Sequence, residues 1–262
     1  MRHFALIGEH LGHSASVPIH RECWRQLGVD ADYRLIEIPR DEFVPRVTQL
    51  LHEVDGFNIT IPYKQDVMML LSSIDPVAQA MGAVNTVVCG DSACGYNTDA
   101  PGLMAMLRHY GLDPAGQPVY IMGTGGVSKA ARFAAESMGA SSVTFVSRTP
   151  REGIISYDEL ADTGSGLLIN CTPAGMYPNS DGCPLTEAQL ARLLPRLTGV
   201  ADTIYNPPET VLTAAAKHAG VPACTGLYML VDQAMEAERK WFPDLDIPAD
   251  MTARVLKELK LF

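Results

Sequence analysis

Pro118-Val119-Tyr120-Ile121-Met122-Gly123-Thr124-Gly125-Gly126-Val127-Ser128 decides the fold class. A short apolar run predicts a strand, and the glycines that follow predict a tight turn. Val127–Met138 is rich in alanine and predicts a helix, with Gly139 placed to end it. Ser142–Val146 predicts the next strand. Strand, glycine loop, helix and strand in this order suit a dinucleotide-binding unit. The glycines let the backbone approach a pyrophosphate, and the helix start offers free N–H groups and the positive end of its dipole. Ser128 stands where the fingerprint has its last glycine, and the same glycines also serve a bare strand–helix turn.

The second strand runs into Ser147-Arg148-Thr149. An NAD site usually carries Asp or Glu here for the ribose 2′-hydroxyl, whereas an Arg accepts a 2′-phosphate. Arg151 and Lys129 add positive charge nearby, and a solvated strand-end arginine is the plain alternative. Further strands are expected at Leu167–Asn170 and Val200–Ile204, and closing helices at Gly226–Trp241 and Met251–Leu261.

Upstream lies a separate α/β pattern. Phe4–Ile7, Tyr33–Ile38 and Gly56–Thr60 predict strands, and Val84–Cys89 with Ala93–Tyr96 predicts a hairpin around Gly90-Asp91. A helix is expected from Ser16 to Leu27, stopped by Gly28. Others are expected from an Asp41 cap to Leu51, over Lys64–Leu71, over Pro76–Met81, and from Pro101 to Tyr110. The alternation implies an α/β protein with mainly parallel sheets.

The 262 residues suffice for one large or two modest domains. Hydrophobic residues make up 47%, enough for a sizeable core. The net charge of −10 argues against a nucleic-acid binder, which needs a basic face. The six cysteines form no C-x-x-C pair and read as reduced thiols. The apolar run before Gly8 is too short for a signal peptide, and no stretch is long enough to span a membrane, so a cytoplasmic location is expected. His10, His13 and His20 lack the spacing of a metal site, and none is expected.

Four polar clusters remain. Ser14 and Ser16 follow the first strand, where hydroxyls and free N–H groups suit a carboxylate, although Ser16 also reads as a helix N-cap. Thr60 and Lys64 end the third strand, and the C-terminal ends of strands are where open α/β sheets take ligands. Asn85-Thr86 and Asn97-Thr98-Asp99 sit between glycines and, taken alone, read as turns.

Together these segments resemble the shikimate dehydrogenase family, with its quinate/shikimate relatives, over nearly the whole chain and in the family's order. The matching pieces are His13-Ser14-Ala15-Ser16 with His20, Gly56–Lys64, Gly82–Thr86, Gly95–Asp99, the glycine loop, Ser147–Thr149, Ile169–Met176, Asp202–Pro207 and Gly226–Ala234. Here Val17 separates Ser16 from Pro18, and Ser147 stands where the family often has Asn.

The resemblance implies an N-terminal α/β substrate-binding catalytic domain, residues 1–100, completed by C-terminal helices at 227–262. Between them it implies a Rossmann-type NADP-binding domain at 101–226. It implies reversible reduction of 3-dehydroshikimate to shikimate with NADPH, a step toward chorismate and the aromatic amino acids. Lys64 and Asp99 match the catalytic pair, and Ser14, Ser16, Thr60, Asn85, Tyr205 and Gln233 match substrate contacts. Gly123, Thr124, Gly125, Gly126, Val127, Ser147, Arg148, Thr149, Thr172, Gly226 and Met229 match the cofactor side. The chemistry suits these types: lysine gives a proton to the reduced oxygen and takes it back in reverse, and a carboxylate orients the amine. A monomer or homodimer without nucleic-acid or membrane partners is expected. The alternatives are an NAD(P)-dependent quinate/shikimate dehydrogenase and a catalytically silent dinucleotide sensor.

Overall fold

The structure is a computed structural model and describes residues 1–12 and 14–259. In chain order its strands are β1 (Arg2–Gly8), β2 (Ala31–Glu37), β3 (Gly56–Ile59), β4 (Ser73–Ile74), β5 (Thr86–Val88), β6 (Cys94–Tyr96), β7 (Pro118–Met122), β8 (Ser142–Val146), β9 (Ile154–Ile155), β10 (Gly166–Asn170), β11 (Leu197–Asp202) and β12 (Ala223–Cys224). The helices are α1 (Ser16–Leu27), α2 (Phe43–Leu50), α3 (Pro76–Met81), α4 (Asp99–His109), α5 (Gly126–Ser137), α6 (Tyr157–Thr163), α7 (Glu187–Leu193), α8 (Val211–His218), α9 (Leu227–Trp241) and α10 (Met251–Glu258). Two compact units result. Among the described residues, one is Met1–Asp99 with residues 231–259, and the other is Ala100–Leu230.

The first unit holds a sheet ordered β2-β1-β3-β5-β6-β4. β1 pairs in parallel with β2 and β3, whereas β5 runs antiparallel to β3 and β6. β4 also pairs in parallel with β6, so β5 alone opposes its neighbours, because the short β5–β6 connection can join only antiparallel strands. One face packs Ile7, Val47, Phe57, Tyr63 and Val84; another cluster joins Phe4, Trp24, Tyr33 and Trp241.

The second unit holds an all-parallel sheet ordered β12-β11-β10-β7-β8-β9. Counted from β7, this is the 3-2-1-4-5-6 order of dinucleotide-binding folds, with its reversal between β7 and β10. Every residue of β10 is buried, as a strand covered on both faces requires.

Three local expectations are corrected. Asp41 lies in a 3₁₀ turn, Arg40–Glu42, and α2 starts at Phe43. That start leaves Pro45 in the first helical turn, where its missing N–H costs no intrahelical bond. Lys64 lies outside the following helical turn, a 3₁₀ segment at Asp66–Leu70. Its carbonyl instead accepts from Val84 N–H at 2.8 Å. Ser16 does not cap α1: Ala15 holds the N-cap position and Ser16 is the first helical residue. Of the residues named above, His13 and Leu261 lie outside the described residues.

Candidate active site and cofactor loop

The polar groups of the first unit converge on Asp99, the opening residue of α4. Lys64 Nζ donates to Asp99 Oδ2 at 2.6 Å. Asn85 Nδ2 donates to Asp99 Oδ1 at 2.8 Å, and the Asp99 amide donates to Asn97 Oδ1 at 3.0 Å. The Lys64 and Asp99 side chains are 18% and 11% exposed, so water reaches the pair from a restricted side. The Lys64 backbone is fixed by its bond to Val84 and by the buried Tyr63 beside it, stacked on Phe43 at 4.2 Å. A mobile surface lysine has no such anchors, and an ammonium held this way beside a carboxylate is of a type suited to proton exchange.

Other expected residues gather in the same unit. Thr98 N–H donates to Asn85 Oδ1 at 2.8 Å, and Thr98 Oγ1 lies 3.4 Å from Gln233 Oε1 on α9. Ser14 Oγ donates to Ser16 Oγ at 3.1 Å and accepts from the Ser16 amide at 3.2 Å, so the two serines form one group at the start of α1. Thr60 leaves β3 with its amide donating to Ile7 O at 2.9 Å. Among the histidines, His20 is fully buried with Nδ1 2.6 Å from Glu238 Oε1.

In the second unit the glycine loop joins β7 to α5. Gly123 has φ +105°, and a Cβ there would lie 3.1 Å from Cys171 O, so both the turn and its neighbour require glycine. A Cβ on Gly125 or Gly126 would meet nothing within 4 Å, so the start of α5 faces open space. Ser128 is fully buried, where the fingerprint's last glycine would allow close packing. Arg148 is exposed and, among the described residues, has no ion-pair partner. The Thr149 amide bonds Ser147 Oγ at 3.2 Å, turning the chain at the end of β8. Free amides, open space and an unpaired guanidinium fit a pyrophosphate and a 2′-phosphate.

The loops after β10 and β11 are tied together by side-chain hydrogen bonds. Thr172 bonds Asn170 Oδ1 through its amide at 3.0 Å and its hydroxyl at 2.8 Å. Asn170 Nδ2 donates to Asp202 Oδ1 at 3.0 Å, and Thr210 Oγ1 donates to Asp202 Oδ2 at 2.8 Å. Burial raises the Asp202 carboxyl to about 6, against hydrogen bonds from Ile204, Thr210 and Asn170 that lower it. Gly226 packs on the exit of β11, where a Cβ would lie 2.2 Å from Thr203 O. Met229 is buried in this unit's core. Tyr205 follows β11 in this same unit, and burial raises its phenol.

Lys64, Asp99, Asn85, Ser14, Ser16, Thr60 and Gln233 are thus brought into one unit, while Tyr205 and the cofactor-side residues belong to the other. Tyr33, Thr98, Glu238 and Asp202 carry no assigned role in the sequence reading. The signal for Asp202 was present, since a carboxylate ending a buried strand needs a partner. For Tyr33 there was none, because a strand tyrosine reads as core.

A family model described as the shikimate dehydrogenase substrate binding domain matches residues 6–87. A shikimate dehydrogenase (NADP(+)) from Clostridium perfringens strain SM101 is 34% identical over 274 residues, covering 99% of this chain and 99% of the relative. Among solved structures, a chorismate mutase/shikimate 5-dehydrogenase fusion protein from Clostridium acetobutylicum superposes with a TM-score of 0.92 at 33% identity, covering 99% of this chain and 97% of that one. The shikimate 5-dehydrogenase of Thermus thermophilus, in complex with NADP(H) and shikimate, gives 0.87 at 30% identity, covering 99% and 100%.

Proposed function

The chain belongs to the shikimate dehydrogenase family, and we infer that it catalyses the reversible NADP-dependent reduction of 3-dehydroshikimate to shikimate. It is an oxidoreductase acting on a CH–OH group. The observation that carries the residue-level reading is the Lys64–Asp99 pair at 2.6 Å, with Asn85 on the other carboxylate oxygen.

Bound NADPH supplies the hydride. Lys64 gives its proton to the substrate oxygen during reduction and recovers it during oxidation. Asp99 holds the ammonium in place and binds a substrate hydroxyl. Ser14 and Ser16 bind the substrate carboxylate, with Thr60, Asn85, Gln233 and Tyr205 as further substrate contacts. The α5 amides with Gly123, Thr124, Gly125, Gly126 and Val127 hold the pyrophosphate. Arg148, with Ser147 and Thr149, holds the 2′-phosphate, and Thr172, Gly226 and Met229 complete the cofactor side. Residues 1–100 with 227–262 form the substrate domain and 101–226 the NADP domain. The protein acts in the cytoplasm as a monomer or homodimer; among the described residues, no helix is long and apolar enough to cross a membrane.

A spectrophotometric assay tests this reading. Shikimate and quinate are each offered with NADP and with NAD, following the reduced cofactor. Shikimate with NADP is expected to turn over fastest. Fastest turnover of quinate with NAD moves the assignment to the quinate branch, and no turnover in any combination overturns it.

A further inference from the structure

Tyr33 lies on β2 with 2% of its surface exposed, its ring stacked on His20 at 4.3 Å. Its hydroxyl is 2.6 Å from Asn58 Oδ1. Asn58 Nδ2 lies 3.0 Å from Thr86 Oγ1, and Thr86 Oγ1 lies 3.1 Å from Asn85 Oδ1. Asn85 Nδ2 then reaches Asp99 Oδ1 at 2.8 Å, and Asp99 Oδ2 receives Lys64. Asn58, Thr86, Asn85 and Asp99 are all buried, so water does not compete along the chain.

The direction of these bonds is fixed by groups that play only one role. Asn58 Nδ2 also faces the backbone carbonyl of Asn85 at 3.3 Å, which can only accept. Asn58 Oδ1 must then face Tyr33, whose hydroxyl must donate. Asn85 Oδ1 accepts from the backbone N–H of Thr98 at 2.8 Å, which can only donate. The Asn85 amide nitrogen must then face the Asp99 carboxylate. Thr86 accepts from Asn58 and donates to Asn85. Every bond from Tyr33 to Asp99 therefore points the same way, an arrangement in which each bond polarises the next.

We propose that Tyr33 is a positioning residue for the acid–base pair, acting through Asn58, Thr86 and Asn85 to hold Asp99 against Lys64. This rests on the roles given above to Lys64 and Asp99. Tyr33→Phe keeps the ring on His20 and removes the donor, leaving Asn58 Oδ1 buried without its partner. Asn58 is then free to shift, and Asn85 loses the hydroxyl that steadies its oxygen.

The test measures steady-state shikimate oxidation by the full chain carrying Tyr33→Phe, and by Thr86→Val, which breaks the chain at its middle with no change of shape. Each is expected to lower kcat about 3–30-fold, with KM for NADP changed less than twofold. Together they cost little more than either alone. In an Asp99→Asn background Tyr33→Phe is expected to cost less than twofold, because the end of the chain has already been altered. A role in packing alone predicts the same loss in both backgrounds, and that result overturns the proposal. So does wild-type kcat in folded Tyr33→Phe and Thr86→Val. Should Tyr33→Phe fail to fold, the Thr86→Val pair carries the same comparison. Lys64→Ala is measured alongside: wild-type kcat there removes the acid–base reading itself. An inactive Lys64→Ala with fully active Tyr33→Phe removes only the positioning role.

Discussion

Asp99 and Asp202 are both buried carboxylates that accept a hydrogen bond from an asparagine, one in each unit. Asp99 also receives an ammonium, Lys64, at 2.6 Å. Asp202 receives neutral donors, Asn170, Thr210 and the Ile204 amide, and burial raises its carboxyl to about 6. The first carboxylate keeps a charged partner at the edge of solvent, as the proton transfer proposed for Lys64 requires. The second ties β10, β11 and the start of α8 together. The contrast extends to the units that hold them. In the first unit the candidate substrate groups are pinned by one another. In the second, the candidate phosphate ligands, Arg148 and the amides of Gly125 and Gly126, are exposed. Substitutions in the first unit should therefore act on turnover and substrate affinity, and surface substitutions in the second on cofactor affinity.

The largest expected effect is at Lys64. Lys64→Ala should lower kcat by roughly 10²–10⁴-fold while NADP binding, followed by calorimetry, stays close to wild type. A folded variant with ordinary kcat would reduce the pair to a structural ion pair and erase the contrast with Asp202. Next comes Arg148→Ala, which should raise KM for NADP on the order of 10–100-fold and KM for NAD far less. Equal losses for the two cofactors would show that Arg148 does not meet the 2′-phosphate.

Ser16→Ala should raise KM for shikimate roughly 5–50-fold with cofactor affinity retained. An unchanged KM would leave Ser16 as merely the first residue of α1. The smallest effect concerns Asp202 and is read from stability. Its folded carboxyl titrates at about 6 and an unfolded one near 4, so between those values the folded chain binds the extra proton. Its contribution to stability therefore falls as pH rises through that window. Asp202→Asn removes this slope. Measured by urea unfolding, the variant should gain on wild type by about 1–3 kcal/mol from pH 4 to pH 7. A difference that does not change with pH would mean that Asp202 is not buried in a raised state.

Much of the second unit was legible along the chain. Val119–Met122, the glycines and Val127–Ser137 are adjacent in sequence, and adjacency is what a βαβ unit needs. Arg148 stood out as a candidate for the same reason, since β8 pairs with β7 and its end lies beside the glycine loop. The first unit was legible only in pieces. Asn85-Thr86 and Asn97-Thr98-Asp99 each read as turns, because nothing local distinguishes a polar cluster held in a site from one that ends a strand. Lys64 was placed in a helix that the structure lacks, and the carbonyl that would have supported it is taken by Val84, 20 residues away.

Local sequence was enough to set the two α/β patterns, the glycine turn between β7 and α5 and the chemical types available for hydride and proton transfer. It did so through propensity, periodicity and the backbone freedom of glycine, all of which act over a few residues. Folding was needed to bring Asp99 to Lys64 across 35 positions, to join Tyr33 to Asp99 through Asn58, Thr86 and Asn85, and to enclose Asp202 among neutral donors. Those contacts depend on sheet register and on burial, and a buried polar group takes its partner from whatever the fold brings within about 3 Å, however distant in sequence.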